Sequence, residues 1–209
     1  MPRYPYFYLI GFKQNNAAYA GNGEKNMRTE LKTISRTKLI VTVGVFSAIA
    51  FLLQLIGSFI GLKVGGFLEV EFSDVPALIL AMAYGPVAGM SVEFVKNLLH
   101  LAVTSTGGVG ELANFVIGGI LCFAAGIIYR YKRTYKGALL SLLSATLLMT
   151  AAGMGVNKFI MLPLYMPNAE EAFVNNLLIT VIMPFNLIKG IVISGVTVLL
   201  YKRISRVIK

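Results

Sequence analysis

Long apolar runs, separated by short basic segments, constrain the fold of this chain more than any other feature. Hydrophobic residues make up 56% of the 209 residues and charged residues only 13%, whereas soluble domains carry about 25% charged residues. A helix that crosses a bilayer needs about 20 mostly apolar residues. The sequence therefore predicts an all-α integral membrane protein with no soluble module attached.

Six apolar segments, of which the second is short, are predicted as membrane spans, and together they predict a six-transmembrane-helix bundle. The predicted spans are residues 38–60, 75–84, 86–103, 111–129, 137–159 and 177–201. They belong to one predicted membrane domain, residues 27–209. Residues 1–26 differ in composition and include a polar, Gly-rich stretch, which is typical of disorder. We expect them to be a disordered N-terminal extension, with Met27 as the true start.

Basic residues cluster in three segments, at 28–38, 130–136 and 202–209. With six spans all three segments fall on one side of the membrane, and an excess of Lys and Arg marks the cytoplasmic side. Both termini are therefore predicted to be cytoplasmic, and the outer loops are 61–72, 104–110 and 160–176. Ser73 or Asp74 is a candidate N-cap for the second span, and Asp74 is predicted to lie on the outer face. The net charge of +10 is explained by orientation in the membrane, so no nucleic-acid partner is expected.

A polar stretch, SVEFVKNLLH, lies inside the third apolar segment. On a helix, Glu93, Lys96, Asn97 and His100 fall on neighbouring stripes of one side. Charges at bilayer depth cost roughly 2.5 to 3.5 kcal/mol each and usually face a bundle interior or a cavity. One interpretation is a structural Glu93–Lys96 ion pair. The interpretation that we favour is that the stretch forms part of a polar pocket.

Other polar residues are predicted to reach the same region from three later spans: Asn114, Asn157, Asn186 and Lys189. Carboxamides offer a donor and an acceptor together, which suits the carbonyl and ring-nitrogen edges of a polar organic molecule. We expect a cavity that opens outward, with the 61–72 loop as its lid. The alternation of apolar and polar residues in this loop predicts an ordered loop or a short hairpin. Simpler roles remain open, because Asn157 can cap its helix and His100 can be a packing residue.

No catalytic or metal-binding motif is visible in the sequence. The chain has one histidine and one cysteine, Cys122, and lacks a Walker motif, H-E-x-x-H, C-x-x-C and G-x-S-x-G. The sequence therefore predicts neither an enzyme nor a bound metal or cofactor. On the first span, Gly44 and Ala48 form a small-xxx-small pair that would let another helix approach closely.

Four stretches taken together resemble one family of membrane proteins: FLEVEFSDVPALI, the short second span ending in YGP, SVEFVKNLLH, and MPFNLIKG. They are similar to the S components of energy-coupling factor (ECF) vitamin transporters, and in particular to the riboflavin-binding branch. The resemblance covers residues 30–209. It implies a high-affinity substrate-capture subunit in a bacterial cell membrane. Its partners would be riboflavin, a transmembrane coupling subunit and two ATPase subunits.

The resemblance also implies roles for individual residues. Gly44 and Ala48 would pack against the coupling subunit, and the 61–72 loop, with Gly66 and Leu68, would cover the bound flavin. The residues expected to bind the substrate are, in order of preference, Asn157 and Lys189, then Asn186, Glu93, Lys96 and Asn97, together with Asn114. For Glu93 and Lys96 the alternative is that they only hold the helices in register.

Two other functions stay open at this point. The first is an S component for another vitamin, such as thiamine or biotin. The second is a self-contained channel or proton-coupled carrier, in which Glu93, Lys96 and His100 would form a relay. A carrier would transport without an ATPase partner and would depend on the proton gradient, whereas a binding subunit alone would retain its ligand and transport little.

Overall fold

The computed structural model describes residues 36–60, 63–64, 68–69, 72–104 and 106–208. The predicted extension 1–26, the predicted start at Met27 and the candidate lid residue Gly66 lie outside the described residues. Within the described part the chain is almost entirely helical. The described residues also include two short strands, which precede the second helix.

Helix α1 spans Arg36–Ile60, and a small hairpin follows it. Strand β1 is Lys63–Val64 and strand β2 is Leu68–Glu69, and they pair antiparallel with Val64 opposite Leu68. The alternation of apolar and polar residues in this stretch predicted an ordered loop or a short hairpin. The described pairing is that of a hairpin.

Two short helices come next and are joined by a tight turn. Helix α2 spans Asp74–Tyr84 and helix α3 spans Pro86–His100. Gly85 between them has φ +109°, a conformation that residues with a Cβ rarely adopt. Pro86 then begins α3, where its fixed φ suits the first helical turn. A turn of 3-10 helix, Leu101–Val103, continues α3.

Five further α-helices and two turns of π-helix follow among the described residues. Helix α4 spans Val109–Tyr131 and α5 spans Tyr135–Val156. A π-turn, Asn157–Met161, joins α5 to α6, which is Leu162–Tyr165. Helix α7 spans Glu171–Leu177, and a second π-turn, Leu178–Ile182, joins it to α8, Met183–Ile208.

Each π-turn is followed, after one intervening residue, by a proline within the continuing helix. Pro163 follows the turn Asn157–Met161, and Pro184 follows the turn Leu178–Ile182. A proline ring in a regular helix clashes with the carbonyl four residues earlier. That carbonyl belongs here to Phe159 or Thr180, which lie inside the π-turns. We infer that the wider turn makes room for the ring, so that both helices continue.

This continuation changes the predicted outer loop 160–176. The helical path from Tyr135 extends to Tyr165 and the next one starts at Glu171, so only residues 166–170 connect them. The sequence reasoning ended the helix before Pro163, because a proline usually terminates a helix, and it missed the π-turn that accommodates the ring. The two helical paths run 31 and 30 residues as far as Leu200, or roughly 45 Å each.

Among the described residues, four helices are long and apolar enough to cross a membrane: Arg36–Phe59, Val109–Tyr131, Tyr135–Tyr165 and Glu171–Leu200. Helices α2 and α3 are shorter, with 11 and 15 residues. Helix α2 lies at the centre of the bundle, where nine of its eleven residues are buried. Its apolar side chains form the main core together with residues of α3, α4, α5 and α8.

Glycines allow α2, α3 and α4 to pack closely. A Cβ added at Gly89 of α3 would lie 2.5 Å from the Cβ of Ala81 and 2.8 Å from the carbonyl oxygen of Ala77. A Cβ at Gly126 of α4 would lie 2.8 Å from Pro86. The helix backbones therefore approach as closely as small residues permit in membrane bundles.

We expect Gly89→Ala to destabilise the protein, because the new methyl group overlaps Ala81 and the backbone of α2. Overpacking of this kind costs about 1–3 kcal/mol, which exceeds the roughly 1 kcal/mol that alanine gains over glycine in a helix. Gly44→Ala is the matched control, since nothing lies within 4 Å of its added Cβ. Thermal unfolding in detergent is the measurement. A Gly89→Ala protein as stable as Gly44→Ala would contradict the packing described.

Candidate functional site

Four charged side chains meet inside the bundle, and we call them the buried charge cluster: Asp74, Glu93, Lys96 and Lys189. The first three are 0% exposed and Lys189 is 8% exposed. The ammonium of Lys96 contacts Asp74 Oδ1 and lies 2.9 Å from Glu93 Oε2, and the ammonium of Lys189 lies 3.3 Å from Asp74 Oδ2. Two acids and two bases thus offset one another, as buried charges require.

Asp74 comes from the first turn of α2, where the helix dipole favours a negative charge. The sequence predicted Ser73 or Asp74 as the N-cap, with Asp74 on the outer face. Ser73 does occupy the N-cap position, but its side chain makes no capping hydrogen bond. Its hydroxyl instead accepts a hydrogen bond from the Lys96 ammonium at 2.8 Å. Both residues therefore serve the buried charge cluster.

Glu93 and Lys96 lie one turn apart on α3 and form the ion pair that the sequence offered as the structural interpretation. The Glu93 carboxylate lies against the backbone of α4 at Gly118, where an added Cβ would be 2.5 Å from Oε2. Glycine at this position gives the carboxylate its space. The cluster consequently connects α2, α3 and α8 and lies directly against α4.

A second group, of three amides, lies beside the charge cluster. Asn97 Nδ2 donates to the carbonyl of Glu93 at 2.8 Å, and Asn97 Oδ1 accepts from Asn114 at 3.2 Å and from Gln54 at 3.5 Å. These contacts join α1, α3 and α4. Sequence reasoning named Asn97 and Asn114 but missed Gln54, which is a lone polar residue in the apolar run of α1. That isolation within a span was the signal available.

His100 forms a separate hydrogen bond with Glu111 close to the 104–110 loop. Its Nδ1 lies 2.9 Å from Glu111 Oε1, and the hydroxyl of Thr106 donates to Glu111 Oε2 at 2.9 Å. The ring also packs edge-on against Phe51, with the ring centroids 6.5 Å apart. These contacts tie the end of α3 to the start of α4 and anchor the loop between them.

Asn157 and Asn186 meet at Gly153. Asn157 Nδ2 donates to the carbonyl of Gly153 at 2.7 Å, and a Cβ on Gly153 would lie 2.8 Å from the carboxamide of Asn186. Asn186 Nδ2 donates to the carbonyl of Ile182, the last residue of the second π-turn. The Asn157 Oδ1 atom is buried without a hydrogen-bond partner among the described residues. It is therefore an acceptor that a ligand could use.

Asn157 does not end its helix, because the chain continues into the π-turn Asn157–Met161. A π-turn within an α-helix is rare and is frequently found at functional sites. The next residue, Lys158, is half-buried and donates to Asn175 Oδ1 at 3.1 Å. That contact connects the first π-turn to α7.

The described residues thus divide the candidate residues into three groups. In the first group, Lys96 and Lys189 contact Asp74, and Glu93 contacts Lys96. In the second, Asn114 donates to Asn97. In the third, Asn157 and Asn186 both lie against Gly153. Gly44 and Ala48 lie elsewhere, on an exposed face of α1. Leu68 lies on strand β2, six residues before Asp74.

The arrangement is suited to hydrogen bonding and not to bond breaking. Carboxamides and ammonium groups can bind a polar organic molecule, and the apolar helices around them can bury it. In the described part of the chain, no group of three or more His, Cys, Asp or Glu side chains could hold a metal ion. Together the fold and the polar groups indicate a multi-pass membrane protein with clusters of buried polar side chains.

Comparisons with known proteins identify the family. The family described as "ECF transporter, substrate-specific component" matches residues 38–201. The chain is 38% identical over 192 residues to "Riboflavin transporter RibU" of Staphylococcus aureus (strain TCH60), which covers 90% of this chain and 98% of that protein. It is 35% identical over 179 residues to "Riboflavin transporter FmnP" of Bacillus subtilis (strain 168), which covers 81% of this chain and 93% of that protein.

A solved structure described as "Structure and mechanism of the S component of a bacterial ECF transporter" agrees with this match. Its TM-score to this chain is 0.71. It is 38% identical, and the match covers 84% of this chain and 99% of that one. The chain belongs to the substrate-specific components of ECF transporters. The family expected from the sequence is thereby confirmed, and this family consists of transporter subunits and not of enzymes.

We expect Lys96→Met to destabilise the protein strongly, because Asp74 and Glu93 would then share Lys189 as the one remaining base of the buried charge cluster. Removing one member of a buried ion pair costs about 3–5 kcal/mol. The double variant Lys96→Met/Glu93→Gln should recover much of this loss, because it removes one charge of each sign. Equilibrium unfolding in mixed micelles is the measurement.

Lys158→Met is the matched control, since Lys158 is half-buried and donates to a neutral amide. It should cost about 1 kcal/mol, the net value of one hydrogen bond. If Lys96→Met cost no more than Lys158→Met, the proposed charge balance of the buried cluster would be wrong.

Proposed function

We propose that this chain is the riboflavin-binding subunit of an ECF-type vitamin importer. It would capture riboflavin from the outer side of the membrane, and a separate transmembrane coupling subunit with two ATPase subunits would supply the energy. The observation that carries the proposal is the similarity, over nearly their full length, to relatives named riboflavin transporters.

The chemistry of the site suits this ligand. Riboflavin has a flat, mostly apolar isoalloxazine ring with a urea-like edge and a ribityl chain rich in hydroxyl groups. We assign the ring edge to Asn157, Asn186 and Lys189, because the buried Oδ1 of Asn157 is available as an acceptor and ammonium and carboxamide nitrogens can donate. Asn97, Asn114, Glu93 and Lys96 would then bind the hydroxyl groups or hold their helices in place, and the 61–72 segment, which includes Gly66 and Leu68, would cover the ligand.

We also propose the topology that the charge pattern predicted, with residues 27–209 as one membrane domain of six helical passes and residues 1–26 as an extension. Helices α2 and α3 would be short passes, because 11 and 15 residues rise roughly 17 and 23 Å. Such a short α2 fits the bundle interior, where its residues are covered by protein. Both termini and the basic segment 130–136 would be cytoplasmic.

The exposed face of α1 is the surface that we assign to the coupling subunit. Gly44 and Ala48 are exposed there, and nothing lies within 4 Å of a Cβ added at Gly44. A small-residue surface lets a partner helix approach closely. Exposed branched side chains flank it, among them Val41, Val45 and Ile49.

A self-contained proton carrier is less well supported by the geometry. His100 contacts Glu111, whereas Glu93 contacts Lys96. The relay that would need His100, Glu93 and Lys96 in one chain of contacts is therefore divided between two separate pairs. A specificity for another vitamin is tested directly by ligand competition.

Purified protein is expected to contain, or to take up, one riboflavin per chain. Asn157→Ala should bind it at least about tenfold more weakly, because losing one hydrogen bond to a buried group costs about 1.4 kcal/mol or more. Asn176→Ala is the control, since Asn176 is exposed and the affinity of this variant should be unchanged. Quenching of riboflavin fluorescence during titration measures both affinities, with thiamine and biotin as competitors.

Two outcomes would contradict this assignment. Folded wild-type protein that ignores riboflavin and binds thiamine or biotin would overturn the ligand. Equal affinities of Asn157→Ala, Asn176→Ala and wild type would overturn the placement of the ring at Asn157.

Gly44→Leu is expected to abolish riboflavin uptake in cells while leaving riboflavin binding by the purified subunit unchanged, because the larger side chain would hold the partner helix away from α1. Gly195→Leu is the matched control, because Gly195 is also an exposed helical glycine with nothing within 4 Å of an added Cβ. Uptake of labelled riboflavin and binding are measured in parallel. Uptake that Gly44→Leu leaves intact would show that this face of α1 does not contact the coupling subunit.

A further inference from the structure

Asp74 is the residue at which the two buried lysines meet. Its Oδ1 contacts the Lys96 ammonium, and its Oδ2 lies 3.3 Å from the Lys189 ammonium. Asp74 is 0% exposed, although it starts a helix at the end of a polar loop. One carboxylate therefore fixes two long side chains that come from α3 and α8.

Lys189 is close to the groups that we assign to the ligand. It lies three residues after Asn186 on α8, which places both on neighbouring stripes of one helix face. The Asn186 carboxamide packs on Gly153, whose carbonyl accepts from Asn157. Asp74, at the start of α2, therefore contacts Lys189, which is the one cationic side chain among the residues that we assign to the ring edge.

A lysine ammonium on its four-carbon stem has about 2 kcal/mol of rotamer entropy, and a buried charge needs a counter-charge. The contact with Asp74 satisfies both needs for Lys189. It restricts the side chain before a ligand arrives, and it balances the charge so that the ammonium can serve as a donor to a neutral carbonyl or ring nitrogen. A side chain that is already ordered before the ligand arrives loses less entropy on binding, so the affinity for the ligand is higher.

We propose that Asp74 is a positioning residue for ligand binding, which holds the Lys189 ammonium at the ring edge of the flavin. The inference rests on the proposed function.

Asp74→Asn tests the inference because the change keeps the shape of the side chain and removes its charge. We expect riboflavin affinity to fall at least about tenfold, a change of about 1.4 kcal/mol. At saturating riboflavin, the visible absorption band of the bound flavin should also shift, because the hydrogen bond to the ring edge is altered. A purely structural aspartate would lower stability without shifting that band.

Glu111→Gln is the matched control, because it neutralises another buried carboxylate, the one that is hydrogen-bonded to His100. It should lower the melting temperature while leaving riboflavin affinity and the flavin spectrum as in wild type. Asp74→Glu is the second variant, in case Asp74→Asn does not fold. It keeps the charge but displaces the carboxylate by about one bond length, and it should fold and bind riboflavin more weakly than wild type.

The outcomes separate this inference from the proposed function. Wild-type protein that does not bind riboflavin would overturn the proposed function and this inference together. If wild type binds and a folded Asp74 variant binds with the same affinity and the same flavin spectrum, the positioning role is wrong while the function stands. Weaker binding and a shifted spectrum in the Asp74 variants, with neither in Glu111→Gln, would support it.

Discussion

The neutralisation of four buried charges is the constraint on which the rest of this structure depends. Asp74, Glu93, Lys96 and Lys189 come from three helices, and none of them would be stable at this depth alone. Their contacts require α2 to start at the cluster, α3 to present Glu93 and Lys96 on one face, and α8 to bring Lys189 inward. A buried ion cluster contributes little net stability compared with apolar packing, so its presence in a binding subunit points to a role in organising the site.

Irregular backbone and small residues place the other site groups around this cluster. The π-turns Asn157–Met161 and Leu178–Ile182 accompany the prolines of the last two long helical paths. Asn157 lies within the first of them, and Asn186 bonds to the last residue of the second. Gly118 and Gly153 leave space for the side chains of Glu93 and Asn186. These features let neighbouring helices approach closely and hold the polar side chains in fixed positions. A site needs both if its polar groups are to be ordered before the ligand binds.

Much of the fold could be predicted because hydropathy and charge in a membrane protein act on whole segments. The apolar runs predicted the membrane class and the segments that form α2, α3 and α4. Gly85-Pro86 predicted the turn between α2 and α3, and the alternation before Ser73 predicted the hairpin. The continuation of the helix through Pro163 could not be predicted, because a proline in the sequence does not reveal whether a π-turn accommodates it. The Glu93–Lys96 pair was visible from its spacing, but Asp74 was assigned to the outer face, because only tertiary packing shows that the start of α2 is buried. Gln54 was missed for a similar reason, since its partner Asn97 lies 43 residues away.

A structure of the purified protein with riboflavin bound would test the proposed site most directly. We predict that the ring edge of the flavin lies within hydrogen-bond distance of Asn157 and the Lys189 ammonium, and that the contact between Lys189 and Asp74 is retained. A flavin bound away from Asn157 and Lys189, for example in the 430 Å³ cavity lined by Met154, Gly155, Lys158, Asn175, Leu178 and Ile179, would contradict the site. A flavin at the predicted place with Lys189 no longer in contact with Asp74 would contradict the positioning role.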